Sequence, residues 1–167
     1  AVPGLGFSLA VEAPADDPLA ASSLPFALRA EADRVDLGAR TIPGGERTPL
    51  VLTGQGTLDL ATMQADTTAE LTVAGGTVRY AGSAGIDAVT GRVTLDFADV
   101  STLAGLLGQP ATGGLSATAE GSFAGAGGLD VAVTAAGDGL ASGIGLADRL
   151  LGPQVTAAAT IRDARGQ

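Results

Sequence analysis

The sequence predicts an all-β protein built as one long, curved antiparallel sheet. Apolar and polar residues alternate over most of the chain, which is the period of strands that have one dry face and one wet face. Turn-forming residues separate the alternating segments at short intervals, as in antiparallel strands joined by hairpins. Only two short segments have helical spacing instead. A closed β-sandwich fits the same alternation and remains the alternative fold.

The first two predicted strands lie near the start of the chain. Phe7, Leu9 and Val11 alternate with small or polar residues, and the same pattern returns over residues 26–32. After Asp33 the apolar phase moves by one residue, which predicts a bulge or a turn near Arg34. The segment 40–49 that follows is predicted to be a loop, because it contains two prolines and a Gly-Gly pair.

The clearest alternation runs from residue 50 to residue 97. It predicts four successive strands, at 50–60, 63–73, 78–82 and 89–97. Gly75-Gly76 is a two-residue hairpin signal between the second and the third of them. We therefore expect antiparallel neighbours whose polar sides carry Thr, Asp, Arg and Glu.

Two helical interruptions follow, at 101–108 and 146–153. The first has leucines at i, i+3 and i+4, and both end on a glycine with a proline soon after it. Ser101 is predicted to cap the first helix, and Asp99 to lie near its N-terminus because a carboxylate is favourable there.

A weak internal repeat accompanies these helices. Alternating strands follow both of them, with another strand at 129–135 in between, and the repeated units are residues 99–123 and 145–163. The Gly-rich run before residue 129 is predicted to be a hairpin turn rather than a calcium-binding repeat. We treat residues 1–167 as a single β-rich domain.

The composition excludes most enzyme classes. The chain has no His and no Cys, so it lacks a neutral-pH proton shuttle, a thiolate nucleophile and the commonest zinc ligands. It also has no Lys, which removes Schiff-base chemistry. The pair Asp16-Asp17 stands between prolines and is predicted to lie in a loop. We therefore predict no enzymatic activity, no catalytic residue, no cofactor and no metal.

The net charge argues against one class of partner, and the start of the chain indicates how much of the protein is present. Nine basic residues against 18 acidic ones give a net charge of −9, the wrong sign for nucleic acid. The start has neither the basic region nor the apolar core of a signal peptide, so we expect a piece of a longer chain.

Several stretches resemble one family of bacterial envelope proteins. The chain is similar to the repeating β-rich body of TamB, the translocation and assembly module family, and of its AsmA-like relatives. The similarity covers residues 50–167. It is carried by GTLDL at 56–60, the strand 87–95, the helix 99–108, TGGLSATAEG at 112–121 and LLG at 150–152, followed by a strand that ends in RDARG at 162–166.

The resemblance implies a specific function. Proteins of this family are anchored in the inner membrane of Gram-negative bacteria, cross the periplasm and curl a long sheet into a trough, the β-taco. Their apolar groove conducts phospholipid acyl chains or assists outer-membrane protein assembly, together with an Omp85-family barrel of the TamA type. For this chain we therefore expect a non-enzymatic, lipid-conducting periplasmic segment.

The candidate groove-lining residues are the large members of the dry face, for which ordinary core packing is the alternative role. A structural or adhesive β-sandwich, or a β-repeat module of a secreted bacterial protein, is the alternative function. The candidates are Leu50, Leu52, Leu58, Leu60, Leu71, Val73, Val93, Leu95, Phe97, Leu115, Phe123, Val131, Val133, Val155 and Ile161.

Overall fold

Eleven strands and one short helix make up the described part of the chain. The computed structural model describes residues 6–11, 22–37, 40–43, 50–106, 110–125, 128–142, 148 and 152–163. The helix is α1 (Ser101–Leu106). The strands are β1 (Gly6–Val11), β2 (Ser23–Ala32), β3 (Arg34–Leu37), β4 (Arg40–Pro43), β5 (Leu50–Asp59), β6 (Gln64–Val73), β7 (Gly76–Ala84), β8 (Ala88–Phe97), β9 (Thr112–Ala124), β10 (Gly128–Ala141) and β11 (Gln154–Asp163).

Nine of these strands form one open antiparallel sheet, which confirms the predicted fold class. Their order is β1-β2-β5-β6-β7-β8-β9-β10-β11, so that β1 and β11 are the two edges. From β5 onward each strand pairs with its neighbour in sequence. The other sheet in the described ranges is the β3–β4 hairpin, and no second large sheet faces the first as a β-sandwich would require.

The β3–β4 hairpin corrects one prediction and confirms another. The segment 40–49 was predicted to be a loop, but its first four residues form β4. Thr41 and Ile42 are β-branched and favour a strand, and Pro43 stands at the strand end, where a missing N–H is tolerated. Residues 44–49 lie outside the described ranges. The predicted break near Arg34 is confirmed, because β2 ends at Ala32 and β3 begins at Arg34.

The β6–β7 turn lies one residue earlier than predicted. Val73 pairs with Gly76, so the two turn residues are Ala74 and Gly75. Both have positive φ, 50° and 78°, as a two-residue hairpin of type I′ requires. Gly76 already belongs to β7, where it pairs with Phe97. A side chain at Gly76 would collide with that ring, so this glycine makes room for the phenylalanine.

Helix α1 is held at its start by Asp99. The Asp99 Oδ1 accepts the N–H of Ser101 at 2.9 Å, and its Oδ2 accepts the Ser101 hydroxyl at 2.8 Å. Oδ1 also lies 3.3 Å from the N–H donor of Gly113, just inside β9. The predicted Ser101 cap is therefore wrong, because this side chain donates and the carboxylate accepts. Of the second predicted helix, the structure describes only Asp148 and residues 152–153.

A second carboxylate organises the β5–β6 turn. The Asp59 Oδ1 accepts the N–H groups of Ala61 and Thr62, at 2.8 and 3.0 Å. The bond from the Thr62 N–H has the largest effect in lowering the pKa of Asp59, and the bond from Ala61 adds to it. The bond from the Ser101 N–H lowers the pKa of Asp99 in the same way. Hydrogen bonds to the charged form are the cause in both cases.

These two carboxylates make an acid-sensitivity prediction. Because their pKa values are lower in the folded state, their contribution is complete above the unfolded value near pH 4 and is lost as the pH falls through the folded values. Asp59→Asn and Asp99→Asn should therefore lower the melting temperature near pH 7, and the difference from wild type should shrink as the pH falls below about 4. Thermal unfolding followed by circular dichroism across this range tests it. A difference from wild type that stays constant with pH would contradict it.

The small hydrophobic core lies at one end of the strands. Ala74, Phe97 and Val100 are buried together where α1 leaves the sheet. We call this end the closed rim; it holds the β6–β7 turn, α1 and the first residues of β9 and β11. The opposite end is the open rim, with the turns at 60–63 and 85–87. Residues packed against the core are Val73, Leu95, Leu103, Ala111, Leu115 and Leu140.

Candidate functional site: an open apolar sheet face

Most large apolar side chains of the nine strands lie on one face of the sheet. The register joins them in rows that run across the strands, because directly paired residues point to the same side. One such row is Phe7, Ala30, Leu52, Leu71, Val78, Leu95, Ala117, Ala135 and Ala157. The face is therefore continuous from one edge to the other.

Most of this face is in contact with solvent. Leu52 and Leu71 are each 36% exposed, Val93 is 38% exposed and Phe7, on the edge strand, is 66% exposed. The hydrophobic residues that are buried in the described ranges all belong to the closed rim or to α1. The chain has 10810 Å² of accessible surface, whereas a compact monomer of 16.1 kDa has about 7400 Å². Among the described residues, no second layer of the kind found in globular domains lies on the apolar face.

The structure divides the fifteen candidate residues into three groups. Leu50 and Phe97 are buried, 7% and 2% exposed, at the closed rim. Val73, Leu95 and Leu115 pack against the core there, so these five have core roles. Leu60 follows β5 and lies in the turn of the open rim. The other candidates lie on the exposed or half-buried part of the face: Leu52, Leu58, Leu71, Val93, Phe123, Val131, Val133, Val155 and Ile161.

The candidate set omits part of the same face. Strands β1 and β2 extend it with Val11, Phe26 and Leu28. Val11 pairs with Phe26, while Phe26 and Leu28 pair with glycines of β5. Tyr80 and Val89 also belong to it. Their alternation was visible in the sequence. The register that joins them to the other strands, however, depends on pairing between residues distant in the chain.

Glycines on the apolar face lie under larger side chains. A Cβ on Gly91 would be 2.7 Å from the Tyr80 ring, and one on Gly56 would be 2.8 Å from the ring of Phe26. Tyr80 also donates its hydroxyl to the Thr90 carbonyl at 3.3 Å. The small residues thus allow large neighbours to lie flat, the arrangement in which aromatic residues cover glycines of a sheet. This keeps the apolar face low and even.

The opposite face is polar and carries ion pairs between neighbouring strands. Arg79 bonds Glu70 at 2.7 Å, Arg92 bonds Glu120 at 2.7 Å, and Asp130 accepts from Arg162 at 3.3 Å. Each pair is directly opposite in the register, on β6–β7, β8–β9 and β10–β11. All are exposed, so each contributes about 0.2–1 kcal/mol, and their main effect is to keep this face in water.

A broad depression of about 790 Å³ opens on this polar face. Its polar lining includes the side chains of Gln55, Thr68 and Thr90. The apolar face, by contrast, is a wide surface and not a closed pocket for one small molecule. Any ligand of that face would contact it as an extended apolar chain or layer.

Metal-ligand clusters and membrane-spanning helices are both absent from the described residues. No group of three or more His, Cys, Asp or Glu among them is placed to hold a metal ion. In the same part of the chain, no helix is both long and apolar enough to cross a membrane.

Comparisons with protein-family models, with curated proteins and with solved structures found no match. The exposed apolar face is therefore the feature from which function is inferred.

Proposed function

We propose that this chain is a non-enzymatic segment of a TamB-like protein and conducts phospholipid acyl chains along its apolar face. The parent protein would be anchored in the inner membrane of a Gram-negative bacterium and extend through the periplasm. An Omp85-family barrel would receive the lipid or be assisted in outer-membrane protein assembly. The observation that carries this proposal is the continuous apolar face of the nine strands, which no other described element covers.

An uncovered apolar face of this size favours an apolar occupant. Each square ångström that an acyl chain removes from water contributes about 25 cal/mol. Large exposed apolar patches on soluble proteins usually mark an interaction site. Since the rows of the face run across all nine strands, an acyl chain can move from strand to strand while it stays in apolar contact.

The shape of the face fits movement better than tight binding. Two of its large side chains, Phe26 and Tyr80, lie flat over glycines and leave an even surface at those positions. An apolar chain forms no directional bonds that must break before it slides. The transport also changes no covalent bond, which agrees with a sequence that has neither His nor Cys.

A pair of photo-crosslinkers tests the proposal. Val93 is 38% exposed on the apolar face, while the preceding residue in β8, Arg92, points to the polar face and bonds Glu120. We expect a crosslinker at Val93 to capture phospholipid from the expressing cells and one at Arg92 to capture none. Mass spectrometry of the purified protein identifies the adducts. Equal labelling at the two positions would contradict a one-sided path.

A charge on the same face should block lipid loading. Val93→Asp places a carboxylate where an acyl chain would lie, and desolvating that charge is unfavourable. Because Val93 is already partly in water, the sheet should survive the change. We expect co-purifying phospholipid to fall at least about tenfold. Thr90→Asp adds the same charge to the polar face of β8 and should retain the lipid.

A further inference from the structure

The two rims of the sheet differ in how far their apolar side chains are exposed to solvent. The closed rim buries its hydrophobic residues under α1, as Phe97 at 2% exposure shows. At the open rim the turn residues Leu60, Met63 and Ile86 are 38%, 50% and 81% exposed. The row of the apolar face nearest to these turns contains Val89 and Phe123, which pair with each other and are 40% and 51% exposed. Apolar contact surface thus extends past the strand ends at one rim.

The turns of the open rim are ordered by backbone hydrogen bonds. The N–H of Gly85 donates to the Ala88 carbonyl at 2.8 Å, and the N–H of Gly125 donates to the Asp87 carbonyl at 2.9 Å. The 60–63 turn is held by Asp59 and lies beside Gly85, where a Cβ would be 3.8 Å from the Met63 carbonyl oxygen. The apolar tips are therefore neighbours on a fixed support.

The charges at this rim select the kind of surface that it can meet. Asp59 and Asp87 flank the exposed apolar tips, and the whole chain carries a net charge of −9. An anionic bilayer would repel such a rim, whereas a zwitterionic one would not. Aliphatic side chains such as those of Met63 and Ile86 lose water contact when they enter the boundary between headgroups and acyl chains.

From this we infer that the open rim docks on the surface of a zwitterionic phospholipid bilayer, with Met63 and Ile86 inserted. This inference rests on the proposed function and adds the place at which lipid reaches the apolar face. Val89 and Phe123 lie between the inserted tips and the rest of the face. An acyl chain leaving the bilayer would then pass from hydrocarbon to Phe123 without crossing water.

Two substitutions test the docking without disturbing the fold. Met63 has a positive φ of 52°, a conformation that glycine adopts more easily, so Met63→Gly removes the side chain and relaxes the turn. Ile86 is 81% exposed, so Ile86→Asp removes almost no contact inside the protein. The double variant carries both changes. Gln154→Glu, an exposed position at the closed rim, adds the same charge and serves as the control.

The measurement is flotation of the full 167-residue chain with phosphatidylcholine vesicles. We expect the double variant to bind at least about tenfold more weakly than wild type, because two apolar side chains no longer insert. Gln154→Glu should bind like wild type, and replacing half of the lipid with phosphatidylglycerol should weaken binding at low salt. Wild-type protein that does not float, or a double variant that floats as well as wild type, would overturn the inference. The inference would also be overturned if the open rim bound another protein and the chain did not bind the vesicles.

A loading assay separates this inference from the proposed function. The crosslinker at Val93 is offered lipid either from vesicles or from detergent micelles. If docking supplies the lipid, the double variant should load from micelles and lose loading from vesicles. Loading from vesicles that is unchanged in the double variant would overturn the docking role and leave the proposed function standing. Wild-type protein that floats but loads from neither source would overturn the proposed function instead.

Discussion

Phe97→Ala is expected to cost about 3–5 kcal/mol in the free energy of unfolding, close to the whole stability of many small domains. Phe97 is 2% exposed and lies over Gly76. It is also the largest member of the buried cluster with Ala74 and Val100. Because this cluster joins α1 to the sheet, the cavity would loosen the entire closed rim. Urea unfolding followed by circular dichroism measures the loss.

Phe123→Ala is the matched control for that experiment. Phe123 lies on the same face, but at the open rim, and is 51% exposed. Since half of its surface is already in water, its removal should cost less than about 1.5 kcal/mol. Similar losses for the two variants would mean that the rims are equally packed and would contradict the asymmetry described above.

Gly121→Ala is expected to destabilise the protein by about 1–3 kcal/mol, through the pairing of β9 with β10. Gly121 pairs with Gly91 on one side and Val131 on the other. A Cβ there would collide with the carbonyl oxygen of Asp130 and come within 2.8 Å of the Cα of Val131. Backbone atoms cannot rotate away as a side chain can, so β9 and β10 would have to separate locally.

Gly125→Ala is the control for the glycine prediction. A Cβ at Gly125 would meet only the Asp87 carbonyl oxygen, at 3.8 Å, which is ordinary contact. We expect its effect on stability to stay within about 0.5 kcal/mol. Thermal unfolding of both variants checks the pair. If Gly121→Ala melts at the wild-type temperature, the close approach of β10 to Gly121 is absent in solution.

The alternation of side chains was enough to predict the strands and their two faces. Over residues 50–97 the predicted strands agree with β5, β6, β7 and β8 to within a few residues. Strand faces follow from a period of two that each strand carries in its own sequence. The antiparallel arrangement followed from the short connections.

Details that depend on distant partners were beyond the sequence. The β6–β7 turn was misplaced by one residue because Gly76 looked like a turn glycine. It is needed instead by Phe97, 21 positions later, which the register brings opposite it. The difference between the rims has the same origin. Val100 becomes buried only because α1 folds back on Phe97 and Ala74, a contact without any local signature.

The connectivity from β5 to β11 gives the sheet an adjustable length. Each of these strands pairs with the strand that follows it in the chain, so one hairpin can be added or removed without rerouting any other strand. After an added hairpin of two strands, the next strand runs in the same direction and presents the same face as before. The hairpin lengthens the sheet by about 9.6 Å. A gene that duplicates one hairpin therefore extends the apolar face by a fixed step. The number of hairpins then determines the distance that the apolar face of such a protein covers.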